Sequence, residues 1–303
     1  MENAERIPAF VNSESGTAEG ARDALATGSF DVHEVPAAEL EARILETLGS
    51  NPRRILIAGG DGSIRSAAQA VAGKDVELAV LPSGTLNHFA KDHGIPTDLD
   101  EAARVAAAGV VVTADAGRVG GKLFHGTSSV GAYVAFMRTR EKLEPRLGYR
   151  LSTIIAGIWT FIRMPTISVE IEIEGKKQTL RTPLLFIAVG EREVQLPTLG
   201  GRVPDGRRGL HLMVVRGRKR ARLFFLALDA VANGIEDASR QPELDAFIVD
   251  GCKITMRRKH ARIALDGESE IIDTPLEYRF ERDILRVVVA DTTKDGGEAS
   301  PSV

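Results

Sequence analysis

The chain holds a single cysteine, Cys252, among 303 residues. That excludes an internal disulfide and any zinc site built on several cysteines. Its six histidines show no His-Glu-x-x-His or comparable ligand spacing. There is no excess of positive charge: the formal net charge is −3 and the pI about 6.1. Binding to nucleic acid through bulk charge is therefore not expected. Long apolar runs are missing too. The longest, from Leu151 to Met164, contains Ser, Thr and Arg and is too short to span a bilayer. The opening Met-Glu-Asn-Ala-Glu-Arg lacks the basic and apolar regions of a secretory signal, so a cytoplasmic setting is expected. Neither common phosphate fingerprint occurs: no Gly-x-x-x-x-Gly-Lys-Ser/Thr, and no Gly-x-Gly-x-x-Gly at the expected strand-to-helix turn.

What remains describes an ordinary globular protein, 43% hydrophobic and 27% charged, long enough for two domains. The first third alternates strand and helix signals. Strands are expected at 7–11, 30–35, 54–58 and 76–81. Helices are expected at 18–27, 36–48, 63–72, 86–93 and 99–108. Apolar strands that alternate with helices imply a parallel sheet covered on both faces, a Rossmann-like arrangement. Beyond residue 115 the character changes to many short strand signals, at 167–174, 184–189, 210–215, 253–256, 262–265, 276–280 and 285–289. Helical patterns interrupt them at 132–143, 151–162 and 223–232. The fold class is thus α/β plus β-rich, with a C-terminal β-sandwich-like domain. The expected division is 1–118 for the nucleotide domain and 119–290 for the β-rich domain. The polar stretch 291–303 is expected to be a disordered tail.

The most informative stretch is Ile55-Leu-Ile-Ala-Gly59-Gly60-Asp61-Gly62-Ser63-Ile64-Arg65. An apolar strand ends in glycines, a carboxylate and another glycine, and a helix pattern begins. Outward-pointing backbone N–H groups at such a place favour phosphate. Asp61 would repel a bare phosphate, which hints at phosphoryl transfer beyond mere binding. Read by itself the stretch fits an ordinary strand-to-helix turn equally well. Two further polar loops also follow strands: Asn12-Ser-Glu-Ser15-Gly16, and Pro82-Ser-Gly84-Thr85-Leu-Asn87-His88. Each alone fits a helix cap. In a parallel sheet, however, ligands bind at the carboxyl ends of strands, where all three loops lie. Asp266-Gly267-Glu268 reads as a hairpin turn, and Glu268 could act there as a general base.

This ordered set, with Asp115 before Phe124 and Ser129-x-Gly131, resembles the diacylglycerol kinase catalytic family. That family is related to the sphingosine kinases and, more distantly, to NAD kinases. The resemblance runs from about residue 7 to 289. It implies an ATP-binding α/β domain and a β-rich domain that receives a lipid alcohol, with ATP and Mg²⁺ as cofactors. Asn12, Ser15 and Gly16 match a nucleotide loop; Gly59, Gly60, Asp61, Gly62, Ser63, Ile64 and Arg65 match the glycine-rich ATP loop; Gly84 and Thr85 match a further nucleotide contact. Glu268 matches the proton acceptor, with Asp61 and Asp266 as further catalytic residues. Asp205 and Leu210 match ligand positions of a structural magnesium site. The chain departs from the family at Arg65-Ser66, at Glu191, and at Arg208, where an acid is expected.

The activity the resemblance implies is transfer of the γ-phosphoryl group of ATP to diacylglycerol or a similar lipid alcohol. A kinase for a sphingoid base or another long-chain alcohol, and a catalytically decayed binding module, are the other readings. The basic run 216–222 beside the apolar 223–228 fits transient peripheral contact with the inner membrane surface, or a solvated charge run before a core helix. Trp159 and its apolar neighbours are expected in the core, or lining a lipid pocket. Oligomeric state leaves no trace in the sequence.

Overall fold

The computed structural model describes residues 6–26, 29–163, 166–195, 198–203, 205–215 and 244–291. The basic run 216–222, the helix expected at 223–232 and most of the expected tail lie outside these residues. The chain divides into two compact units, with breaks between Asp115 and Ala116 and between Glu281 and Arg282.

The first unit opens with β1 (Ile7–Asn12), α1 (Ala18–Leu25), β2 (Phe30–Val35), α2 (Leu40–Thr47), β3 (Arg54–Gly59) and α3 (Asp61–Val71). It continues with β4 (Glu77–Pro82), α4 (His88–Asp92), α5 (Leu99–Ala108) and the start of β5 (Val110–Val119). Its strands run β2-β1-β3-β4, all parallel. Arg286 and Val287, from the last strand of the chain, pair in parallel with β4. β3 and β4 are buried almost throughout, which is why they read as unbroken apolar runs. The register sets Gly59 level with Pro82 and Val11 level with Ala58. Three strands therefore end at one height, and their loops start together.

At the opposite strand ends a charge cluster gathers around the buried Glu77. Glu77 accepts from Arg54 Nε at 2.7 Å and Arg53 Nε at 3.1 Å. Arg54 also donates through Nη1 to the Ala106 and Ala107 carbonyls at 2.7 and 2.9 Å, closing the end of α5. Burial alone would raise the Glu77 carboxyl, but its hydrogen bonds to Arg54 and Arg53 outweigh that and hold it below the usual carboxylate value.

The second unit contains the end of β5, β6 (Lys122–Phe124), β7 (Thr127–Gly131), the long helical segment α6 (Ala132–Arg163), β8 (Ile167–Ile173) and β9 (Lys176–Thr182). Then come β10 (Leu184–Val189), the ribbon β11 (Arg192–Gln195) and β12 (Thr198–Arg202), β13 (Leu210–Val215) and β14 (Leu244–Val249). β15 (Gly251–Met256), β16 (His260–Leu265), β17 (Glu268–Asp273) and β18 (Leu276–Val289) complete the order. One sheet runs β14-β13-β10-β7-β16-β17; the other runs from the first part of β18 through β15 and β8 to β9. Ile187, Leu212, Ile254, Ile263 and Tyr278 are among the buried side chains of one core. The expected α/β plus β-rich fold class is borne out.

Three local readings change. The strand signal stops at 174, yet beyond a turn of Glu174 and Gly175, both at positive φ, Lys176–Thr182 form β9, an antiparallel partner of β8. The two strands expected at 276–280 and 285–289 are one strand, β18, with Asp283 at φ 50° inside it. The region of Trp159 is not core. α6 breaks at Gly148 (φ 69°, ψ 168°), and on the part beyond the break Ser152 and Ala156 are fully buried while Trp159 is 47% exposed.

Glu77→Gln should lower stability at neutral pH by about 3 kcal/mol, the usual cost of breaking a buried pair. A lowered folded pKa stabilises above the ordinary carboxylate range, and that contribution is lost as pH falls through the folded value. The stability gap between the native protein and the variant should therefore narrow on acidification, as urea titrations at several pH values would show. Burial pushes the Cys252 thiol up to about 12. An alkylating reagent should label it only when denaturant opens the second unit.

Candidate functional site

In the first unit the three loops after β1, β3 and β4 are bound to one another. Asn12 donates through Nδ2 to Ser63 Oγ at 3.1 Å, tying the first loop to the start of α3. Thr17 donates to the Ser83 carbonyl at 2.5 Å, and the Ser83 N–H donates to the Gly59 carbonyl at 3.1 Å. Asp61 is the first residue of α3, and its carboxylate accepts from the N–H groups of His88 (3.2 Å) and Phe89 (3.1 Å). It thus closes the start of α4. Asn87 precedes that helix at φ 51° and locks the same loop from within. Its Oδ1 accepts from the Gly84 N–H at 2.9 Å, and its Nδ2 donates to the Gly84 carbonyl at 3.0 Å.

The glycines fit this closeness. A Cβ on Gly84 would stand 2.5 Å from the Gly60 Cα, a backbone atom that no rotamer can move. A Cβ on Gly59 would stand 2.5 Å from the Ser63 Cβ. Gly60 and Gly84 are therefore glycine because two backbones meet there. The N–H groups at the start of α3 open beside that meeting point, an arrangement suited to phosphate oxygens. Gly16 has nothing within 4 Å of where its Cβ would be, so packing does not explain that glycine.

Asn12, Ser63, Asp61 and Gly84, all singled out in the sequence, are brought into one bonded network. Thr17 and Asn87 belong to the same network and escaped selection as site residues. Asn87 lies inside the helix expected at 86–93 but ahead of the observed α4; its one signal is that asparagine tolerates the left-handed conformation. Thr17 carried none, because its partner is 66 residues away.

In the second unit Asp266 and Gly267 form the two-residue turn between β16 and β17, at φ 46° and 86°, with Leu265 paired to Glu268. Positive φ at both positions is what a tight hairpin requires. The buried Asp266 carboxylate accepts from the N–H groups of His125 (3.0 Å), Gly126 (2.8 Å) and Thr127 (2.9 Å), and its own N–H donates to the Thr127 carbonyl at 2.8 Å. Its side chain is thus a fastening for 125–127. Glu268, exposed, is the first residue after the turn.

Asp205 stands at φ 55° in the turn before β13, and Leu210 begins that strand, buried and paired with Val189 and Val249. The neighbouring Arg207 donates to Glu191 through its N–H at 2.9 Å and its guanidinium at 3.3 Å. These bonds hold the Glu191 carboxyl below its ordinary value. Among the described residues no three His, Cys, Asp or Glu side chains gather as metal ligands. A magnesium ion prefers an all-oxygen shell rich in carboxylate and water. A turn with one acid, and an arginine against the nearby Glu191, does not fit it.

Residues 6–119 match the diacylglycerol kinase catalytic domain family, so the resemblance read from the sequence is borne out. A protein of Klebsiella pneumoniae named "Probable lipid kinase YegS-like" is 34% identical over 150 residues, 48% of this chain and 49% of that protein. One of the same name from Citrobacter koseri is 31% identical over 208 residues, 65% of this chain and 64% of that protein. The chain spans about half the length of the first of these curated relatives. A crystal structure of a diacylglycerol kinase from Bacillus anthracis shares the fold. Its TM-score is 0.71 at 20% identity, covering 97% of this chain and all of that one.

Asp61→Ala should cost about 1 kcal/mol, as loss of a capping carboxylate does. Hydrogen exchange at the His88 and Phe89 amides should quicken while that of β3 stays slow. Unchanged exchange at those two amides would show that the Asp61 bonds do not hold the loop.

Proposed function

We propose that this protein is an ATP-dependent lipid kinase. It transfers the γ-phosphoryl group of ATP to the hydroxyl of diacylglycerol or a similar lipid alcohol. The observation that carries the reading is the convergence of the three strand-end loops, with Gly60 and Gly84 in backbone contact beside the start of α3. The family match over 6–119 and the names of the relatives support the kinase class and the lipid acceptor.

In this reading the N–H groups of residues 60–63 and the hydroxyls of Ser63 and Thr85 hold the phosphates, with Asn12, Ser15 and Gly16 on the nucleotide. Magnesium carried by ATP supplies neutralisation of phosphate charge. Asp61 acts through the loop it fastens and is a positioning residue. Glu268 receives the proton of the lipid hydroxyl as that oxygen bonds to the γ-phosphorus and the bond to the departing ADP oxygen breaks. Asp266 sets the position of Glu268 by fixing the turn. The unfit turn at Asp205 and Leu210 has no part in the reaction.

A second reading, a nucleotide- and lipid-binding module without transfer, draws on Arg207 against Glu191 and on Arg65-Ser66 after the glycine loop. Radiolabelled ATP incubated with extracted lipids separates the two. Labelled diacylglycerol supports the first reading, a labelled sphingoid base moves the acceptor to another alcohol, and ATP binding with no labelled lipid supports the module. Glu268→Gln should reduce transfer at least a hundredfold with ATP affinity nearly unchanged. Full turnover by that variant would remove Glu268 from the chemistry. Gly84→Ala should weaken ATP binding tenfold or more, because overpacking displaces the loop.

A further inference from the structure

The stretch of α6 beyond Gly148 is folded inside out. Ser152 and Ala156, a polar and a small residue, face inward and are fully buried. Leu151, Ile154, Ile155, Ile158, Trp159 and Ile162 face outward, from 36% to 59% exposed. Their spacing of three and four residues places them on one side of the helix, a continuous apolar stripe roughly 16 Å long. Isolated exposed aliphatics are common, but a contiguous stripe of six on one helix marks an interaction surface.

The segment that carries the stripe, from Tyr149 to Arg163, holds two basic residues and no acid. Arg150, exposed, opens it, and Arg163 lies at the far end with its guanidinium 4.3 Å from the centre of the Trp159 ring; Arg138, Lys142 and Arg146, also exposed, belong to the helix before the break at Gly148. The two acids of α6 are Glu141 and Glu144, and Arg140 lies 3.7 Å from Glu144. A basic segment on a chain of net charge −3 is a local field, not a bulk property. No described helix is long and apolar enough to cross a membrane. An apolar stripe, flanking arginines and a tryptophan under an arginine together describe a helix that lies in the plane of a bilayer surface.

We infer that the part of α6 beyond Gly148, from Tyr149 to Arg163, is a docking surface for an anionic lipid bilayer. The aliphatic side chains and Trp159 enter the acyl boundary while the arginines reach back to lipid phosphates. This assigns membrane contact to α6. It rests on α6 alone and holds whether or not the chain transfers phosphate.

Trp159 is the only tryptophan in the chain, so the protein carries its own reporter at the surface in question. The full chain, without ATP, is mixed with vesicles of phosphatidylcholine containing phosphatidylglycerol, and with vesicles of phosphatidylcholine alone; neither contains diacylglycerol. With the anionic vesicles the emission should shift to the blue, acrylamide quenching should fall, and the protein should sediment with the lipid. The neutral vesicles should bind at least tenfold more weakly. Ile158→Glu with Ile162→Glu should abolish the shift. Arg150→Gln with Arg163→Gln should weaken binding roughly tenfold or more, at about 1 kcal/mol per basic residue. All four side chains are exposed, so thermal melting of these variants should match the native protein. Absence of any shift overturns the inference. So does Trp159 emission that is already blue without vesicles and unmoved by them, since the stripe is then covered by this chain or by a second copy. Loss of kinase activity with vesicle binding intact would count against the proposed function and not against the docking surface.

Discussion

Two glycines that touch through their backbones organise the first unit. Gly60 ends the approach to α3 and Gly84 begins the loop toward α4, and no side chain fits between them. The parallel register brings β3 and β4 to the same height, so their loops leave the sheet together. Everything else at that end is arranged around this closeness. Asp61 reaches across to α4, Asn12 reaches to Ser63, and Thr17 reaches to the Ser83 carbonyl. A loop fixed in this way keeps its N–H groups aimed before any ligand arrives. Such preorganisation, more than the number of contacts, allows weak donors to hold a highly charged phosphate.

The second unit uses the same economy with different parts. One carboxylate, Asp266, satisfies three successive N–H groups of 125–127 while its backbone makes the hairpin turn. Glu268 inherits its position from that turn. The two carboxylates differ in surroundings, since the Asp266 carboxylate is buried and bonded while Glu268 is exposed. Where the chain lacks an acid cluster in the turn before β13, Arg207 lies against Glu191 and brings the positive charge with it.

Much of this was legible in the sequence, for physical reasons. Glycine, proline and capping residues impose their constraint on the backbone locally, so the loops at 12–16, 59–65 and 82–88 announced themselves. The Asp-Gly turn did so for the same reason. Apolar runs buried on both faces gave away β3 and β4. Other features depend on partners far along the chain. Thr17 looks like any threonine until Ser83 lies beside it. β9, Lys-Lys-Gln-Thr-Leu-Arg-Thr, carries little apolar signal because among the described strands it pairs with β8 alone and is mostly exposed. The helical periodicity around Trp159 was visible, but periodicity says that a helix has two faces and not which one turns inward. There, small size decided it: Ser152 and Ala156 allow close approach, and the large side chains were left outside.

The last strand gives the first unit an unusual history. Arg286 and Val287 pair with Glu77 and Leu78, and Val288 enters the core beside Leu81 and Ala103. The segment that carries the family match ends at residue 119, well before them. A fragment cut there would leave the flank of β4 unpaired and part of the core open to water. During synthesis the same gap persists until residue 289 leaves the ribosome, long after β1 to β4 have been made. The first unit, though first in sequence, is therefore closed last. Its half-built sheet must wait with an exposed edge while the whole second unit is threaded through.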